Sequence, residues 1–289
     1  MTPFFIDTHA HIHDADVDDA DGAIDRARDA GVALIVTLGV TLADSRRAVA
    51  LAERHADSQP GAAVVQVLAA AAVHPHDAQG ASDADFDALE ELARHPRVAM
   101  VGEIGLDYYR DLSPRDVQRR VLLRQLETAA RAGKPVAVHG REAHDDLLPM
   151  LEAWSRGMGG ALPDARPLGV MHYFSGDTAL ALRYIELGFL ISVHTSVTHP
   201  KAATLQAVAR EAPLSALVIE TDSPYGAPQR YRGKRNEPAY VIEAAAKIAE
   251  LRGVSIEAVA GATTANAIRL LGLASPPNPL SIGDGEGEL

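Results

Sequence analysis

Several short stretches of this chain place histidines or carboxylates directly behind apolar runs. They are Asp7-Thr8-His9-Ala10-His11, Val73-His74-Pro75-His76, Gly102-Glu103, Val138-His139, Met171-His172 and Glu220-Thr221-Asp222. Glu103 is the most telling. It follows the run Val98–Val101 within two residues, between Gly102 and Ile104. A carboxylate buried there without a partner is costly, so it is either paired or holds a metal. His9 and His11 are two apart, a spacing that puts both imidazoles on one side of a strand. Imidazole with carboxylate suits zinc, manganese, nickel or iron, and with no cysteine in the chain sulfur ligands are absent. A carboxylate can also bridge two cations. Two-metal hydrolases hold their ions about 3.5–4 Å apart and share the attacking water between them. Glu103 is the residue expected to form that bridge. Any one of these histidines, taken alone, reads as structural. Their concentration where apolar runs end points to a shared site.

The elements that must carry these residues are short apolar runs alternating with Ala/Leu/Arg/Glu-rich stretches. The expected strands are Phe4–Ile6, Leu34–Leu38, Val64–Val73, Val98–Val101, Val136–Val138, Leu168–Met171, Phe189–Val193 and Leu217–Ile219. Helical patterns fill the intervals, among them Asp18–Ala30, Ser45–Arg54, Asp83–Arg94, Pro114–Ala132, Ala143–Trp154, Thr178–Leu187 and Lys201–Glu211. This alternation predicts a TIM-type (β/α)8 barrel, a single domain over residues 1–273. In such a barrel every strand end opens on one face, so the histidines and carboxylates would converge there. A doubly wound open sheet is the competitor, but no GxGxxG follows the first strand and no GxxxxGK[ST] occurs. Gly31, Gly133 and Gly188 each stand where a helix ends before the next strand. Ser155–Pro167 reads as a Gly/Pro-rich loop. Residues 274–289, rich in Pro, Gly and acid, read as a disordered tail.

Composition narrows the function. The net charge is −12, which argues against wrapping duplex DNA by a broad basic face. An acidic chain that handles phosphates needs cations to offset its own field. No apolar run approaches the roughly 20 residues of a membrane span, and no signal peptide is evident at the N-terminus. A cytoplasmic location with no membrane contact and no obligate protein partner is the expectation.

With those residues in hand, the chain resembles the TatD family of metal-dependent hydrolases, within the amidohydrolase-like barrels. The motifs are DTHAHI (Asp7–Ile12), VHPHDA (Val73–Ala78), GEIGLDYY (Gly102–Tyr109), KPVAVHGREAHDDLL (Lys134–Leu148), GVMHYFSG (Gly169–Gly176), ETDSPYGAP (Glu220–Pro228), RGKRNEPAYV (Arg232–Val241) and NAIRLLGL (Asn266–Leu273). Their order matches, and they extend from Phe5 to Leu273. The resemblance implies a deoxyribonuclease-type activity with two divalent metal ions, for which magnesium, manganese, zinc and nickel stay open. It implies His9 and His11 as the first metal pair, Glu103 as the bridging acid, and His139 and His172 as ligands of the second metal. Asp222 would bind metal and handle the proton, and His74 would contact substrate phosphate. Many related barrels bridge their metals with a carbamylated lysine after the fourth strand. Here the lysines are Lys134, Lys201, Lys234 and Lys247, none in that place, and Glu103 stands there instead.

The expected reaction is 3′–5′ exonucleolytic hydrolysis of single-stranded or frayed DNA ends, or of small phosphodiesters, by a water whose proton Asp222 accepts. Arg141 would join His74 in holding a phosphate oxygen, and the loop with Arg230, Arg232, Lys234 and Arg235 would meet the strand. Tyr108, Tyr109, Tyr173, Phe174, Tyr225 and Tyr231 could stack bases or roof the pocket. Two other readings remain: a metal-dependent amide or lactone hydrolase on the same barrel, and a catalytically silent binding protein. The chain departs from the family where Ala10 replaces a frequent Cys, where His13 replaces an acid, and in HTSVTH (His194–His199). His13 is expected to face solvent. His194 could reach the site from the seventh strand.

Overall fold

The structure, a computed structural model, describes residues 4–13, 19–56, 65–157 and 166–273. Eight parallel strands follow one another in sequence order around a single sheet. They are β1 (Phe5–Ala10), β2 (Val32–Leu38), β3 (Gln66–Ala71), β4 (Val98–Asp107), β5 (Val136–Arg141), β6 (Gly169–His172), β7 (Phe189–His194) and β8 (Leu217–Glu220). The ring is drawn together between β8 and β1. There the Asp222 amide donates to the His9 carbonyl at 2.9 Å and the His11 amide to the Ser223 carbonyl at 2.7 Å. The buried Asp7 carboxylate reinforces that seam by accepting from the Thr221 amide (2.9 Å) and hydroxyl (2.6 Å). The expected barrel is therefore present, and the open sheet is excluded.

Strand alternation explains two apolar layers. Leu34, Val36 and Leu38 of β2 and Leu68 and Ala70 of β3 fill the barrel interior, with Met100, Val170 and Val218 from other strands. Their neighbours Ile35, Val67, Ala69 and Ala71 face outward into the layer beneath the helices. That is the period-two pattern of a sheet buried on both faces. The surrounding helices are α1 (Ala20–Asp29), α2 (Leu42–Arg54), α3 (Asp83–Ala93), α4 (Arg115–Ala132), α5 (His144–Gly157), α6 (Thr178–Glu186), α7 (Ala203–Glu211), α8 (Val241–Arg252) and α9 (Ile256–Leu271). Helix α9 contributes Ala267, Leu270 and Leu271 to the interior layer. It is tied to the barrel by the Asn266 side-chain amide, which donates to the Leu214 and Leu217 carbonyls at 2.9 and 2.7 Å.

Helix α4 fixes two of the strand ends that matter. Gln118 and Gln125 lie seven apart on its buried face. Gln118 brackets the backbone of Asp107, accepting from its amide at 2.8 Å and donating to its carbonyl at 3.1 Å. Gln125 does the same for Val73, at 2.7 and 3.0 Å, and so holds the segment that carries His74. A buried amide paired this way pins a strand end without leaving a backbone group unsatisfied.

Two expectations need correction. Strand β4 does not stop at Val101 but runs through Asp107, buried at all ten positions. Its second half pairs with β5, Gly105 opposite His139 and Asp107 opposite Arg141, after a register irregularity between Val101 and Ile104. Such irregularities re-aim a side chain, and this one contains Glu103. Ser155–Gly157, read as loop, complete α5. The rest of that loop, and the expected tail at 274–289, lie outside the described residues.

Gly105 has φ +143°, and a Cβ there would collide with the carbonyl oxygen of His139. No other residue lets β4 and β5 approach so closely while delivering Glu103 and His139 side by side. Gly105→Ala is expected to cost more than about 2 kcal/mol. Urea unfolding with an unchanged midpoint would contradict this account of the β4–β5 contact.

Candidate metal centre at the strand ends

The six residues read as metal ligands come together. The Nε2 atoms of His9 and His11 are 3.2 Å apart. Glu103 Oε2 lies 3.3 Å from His9 Nε2 and 3.7 Å from His11 Nε2. Its other oxygen, Oε1, lies 2.8 Å from His139 Nδ1 and 3.4 Å from His172 Nε2. Asp222 Oδ1 stands 3.5 Å from His11 Nε2, 3.7 Å from His172 Nε2 and 3.9 Å from His9 Nε2. The two oxygens of one carboxylate thus face two different imidazole sets.

The donor spacing fits a cation. Metal–nitrogen bonds of about 2.0–2.1 Å put neighbouring tetrahedral ligands about 3.4 Å apart. His9, His11 and Glu103 form one close donor group, and His9, His172 and Asp222 another. A third consists of His74, Glu103 and His139. His74 had been read as a phosphate contact. Its buried Nε2 is 3.4 Å from Glu103 Oε1, as close as that of His172, so the geometry makes it an equal candidate to hold a cation.

Charge balance in this cluster is unusual. Burial alone would push Glu103 up, but the imidazoles of His172, His74 and His139 hold it well below the usual carboxylate range. Burial likewise opposes a proton on His11, yet Asp222 and Glu103 outweigh it and raise His11 to about 9. His139 is also raised to about 9, against burial, by Asp107 and Glu103. His9 and His74 are lowered to about 3 and about 4, chiefly by burial. His172 is raised as well, against burial, by Glu220 and Glu103, so within one cluster three imidazoles favour the charged form and two the neutral form.

Two residues behind the cluster, Asp107 and Glu220, carry no role in the sequence reading. Asp107 Oδ2 accepts from His76 Nε2 at 2.9 Å and faces His139 Nε2 at 3.1 Å. Its Oδ1 is held by the amides of Tyr109 and Arg110 at 3.0 and 2.7 Å. Glu220 Oε1 lies 3.0 Å from His172 Nδ1 and accepts from the Tyr173 amide at 2.7 Å. Carboxylates placed behind imidazoles fix ring orientation and raise basicity. The signal was present, since Asp107 and Glu220 are acids in the GLDYY and ETD stretches, but nothing in the chain order says which histidine each one meets.

The remaining expectations fare unevenly. Arg141 sits at the end of β5 with its guanidinium 3.9 Å over the Tyr109 ring. Arg232 is exposed and makes no ion pair with the cluster, and Arg230 is spent on Glu243 at 3.4 Å. His13 does not face solvent. It is buried, with Nδ1 2.6 Å from the Thr37 hydroxyl and Nε2 3.1 Å from Asp44, because the first turn of α2 brings that carboxylate over it. His194 is buried with its ring stacked 3.6 Å from Tyr173. Among the described residues it forms no hydrogen bond or ion pair with the six proposed ligands, although it lies close enough to feel the charges of Glu220 and His172. Phe174 is core rather than a stacking platform. Among the aromatic residues considered, Tyr109 and Tyr225 are the well-exposed ones, at 55% and 58%. No described helix is long and apolar enough to cross a membrane.

Comparison with known proteins agrees with this geometry. The family model described as TatD related DNase matches residues 6–272. The uncharacterized metal-dependent hydrolase YabD of Bacillus subtilis (strain 168) is 35% identical over 266 residues, covering 91% of this chain and 97% of the relative. The 3′-5′ ssDNA/RNA exonuclease TatD of Citrobacter koseri is 34% identical over 263 residues, covering 89% and 95%. Among solved structures, the TatD homolog YjjV of Escherichia coli K12 superposes with a TM-score of 0.81 at 31% identity, covering 92% of this chain and 97% of that one. With the barrel, the imidazole–carboxylate cluster and these matches together, the chain belongs to the TatD family of metal-dependent hydrolases.

Proposed function

We propose that this protein hydrolyses phosphodiester bonds at the 3′ ends of single-stranded or frayed DNA, at a centre of two divalent cations. The observation that carries the reading is the Glu103 carboxylate, with Oε2 toward His9 and His11 and Oε1 toward His139 and His172. Those five residues and Asp222 would hold the cations. When bound, such cations polarise phosphoryl oxygens and acidify water. The Citrobacter koseri relative, named as a ssDNA/RNA exonuclease, supports the choice of substrate.

The chain's own groups divide the remaining work. Asp222 is more open than Glu103, its side chain 15% exposed against 4%. It is therefore the carboxylate that an attacking water can reach, and it takes that water's proton. Glu103, nearly sealed, holds the geometry. His74, near-neutral imidazole at the same face, meets a phosphate oxygen or a cation. Arg141, its guanidinium laid on Tyr109, presents charge to the diester. Arg232 meets the strand further out.

Several expected outcomes follow from these roles. Asp222→Asn should lower kcat on single-stranded DNA by about 10²–10⁴-fold while leaving KM nearly unchanged. The parent protein should act on single strands ahead of duplex, and on phosphodiesters ahead of amides or lactones. Metal-loaded protein that leaves single strands intact while opening lactones would overturn the nuclease reading.

The last concerns protons. Imidazole binds metal only when neutral, and His11 and His139 hold their protons up to about pH 9 without one. Adding manganese or zinc to metal-free protein at pH 7 should therefore release protons. Apparent affinity should climb with pH toward about 9 and fall in acid. Calorimetry in two buffers of different ionisation enthalpy measures this directly, and an identical heat in both would count against these ligands.

A further inference from the structure

Of the six proposed ligands, Asp222 alone has a left-handed backbone, at φ +59°. Residues with a side chain rarely adopt that conformation, and it persists only where neighbouring contacts fix it. Asp222 opens a turn, its carbonyl accepting from the Tyr225 amide at 2.8 Å. One side of that turn is held by β1, through the bond from the Asp222 amide to the His9 carbonyl. The other side is held by a residue further along the chain, Asn236, in the RGKRNEPAYV stretch.

Asn236 is buried, and its side-chain nitrogen donates to the Thr221 carbonyl at 2.8 Å and the Tyr225 carbonyl at 2.6 Å. These carbonyls lie on either side of the turn. Both only accept, so the side-chain amide must direct its two hydrogens at them. The Thr195 hydroxyl oxygen shares the same donor at a longer 3.2 Å. Thr195, directly after β7, gives its own proton to the Gly226 carbonyl at 2.6 Å, a closer partner than the Thr221 carbonyl at 3.4 Å. The Asn236 backbone amide donates to the Pro224 carbonyl at 3.1 Å. The carbonyls of Thr221, Pro224, Tyr225 and Gly226 are therefore all satisfied by Asn236 and Thr195. Among the described residues, neither side chain hydrogen-bonds to an imidazole or carboxylate of the centre.

We propose that Asn236, backed by Thr195, is a positioning residue for Asp222. It holds both ends of the turn, so that the left-handed Asp222 keeps its carboxylate aimed at His11 and His172. The inference deepens the function proposed above and rests on the place of Asp222 in that centre. Without the side-chain amide, two buried carbonyls lose their donor. The turn then relaxes toward an ordinary backbone conformation, and Oδ1 leaves its place 3.5 Å from His11 Nε2.

The test uses Asn236→Ala and Thr195→Val, the second nearly unchanged in shape, each alone and combined with Asp222→Asn. Calorimetric titration with manganese should show affinity lowered about 10–100-fold by Asn236→Ala, and in the same direction but less by Thr195→Val. With metal saturating, kcat on single-stranded DNA should fall about 10–100-fold in Asn236→Ala while KM stays nearly constant. In the Asp222→Asn background, Asn236→Ala should change affinity and kcat by less than about twofold, since no aimed carboxylate remains to be lost. Losses that multiply in full across the two positions would overturn the proposal. So would variants that melt at lower temperature yet keep parental affinity and kcat, which would leave Asn236 a role in stability alone. Should Asn236→Ala fail to fold, the same cycle with Thr195→Val decides. A parent protein that binds manganese but cleaves no strand would overturn the nuclease reading, and the affinity cycle would still decide this inference.

Discussion

Glu103 is a carboxylate sealed inside a protein, and several imidazoles are arranged around it. Moving such a group out of water costs several kcal/mol unless charge is supplied close by. Here His9, His11, His74, His139 and His172 all come within 3.7 Å of it. Much of the local architecture serves that contact. The register irregularity in β4 turns Glu103 toward the strand ends, and the glycine at 105 brings β5 against it. Gln118 and Gln125 hold the neighbouring backbone from outside the barrel. Without the imidazoles, β4, a strand buried at every position, would carry an unpaired charge.

The carboxylates do not stop at Glu103. Asp107 and Glu220 are fully buried behind His139 and His172, and Asp222 closes the other side. So many anions in one place call for compensating positive charge, and the imidazoles of His11, His139 and His172 are all driven toward the protonated form to supply it. A divalent cation would serve the same purpose with fewer groups, held by the imidazole lone pairs that a proton would block. The site is therefore better matched to cations than to its own protons, which is a physical reason for a metal-dependent enzyme to keep so acidic a set of residues behind its histidines.

How much of this the amino-acid order discloses depends on the range of the interaction. The eight strands were readable because parallel barrel strands are short apolar runs, and their ends were readable because polar residues follow them. The second half of β4 was not, since Gly-Glu-Ile-Gly looks like a turn until β5 is seen to pair with it. His13 was misjudged for a similar reason: its partner Asp44 belongs to the next β–α connection, and only the fold brings the two together. Asp107 and Glu220 stood in plain view as acids at strand ends. Their imidazole partners, however, are fixed by ring orientation and by adjacent strands rather than by spacing along the chain.

An acidic protein proposed to act on a polyanion must limit where it touches it. Many arginines on the helices are already occupied by nearby acids, as Arg94 is by Glu90, Arg115 by Asp111 and Arg131 by Glu90. Near the strand ends the situation differs. Arg141 lies against an aromatic ring rather than an acid, and Arg232 and Arg235 form no ion pair among the described residues. Unneutralised cations at one end of the barrel, on a chain of net charge −12, attract a phosphate locally and repel the rest of a long strand. Such a field favours capture of an end over binding along a duplex.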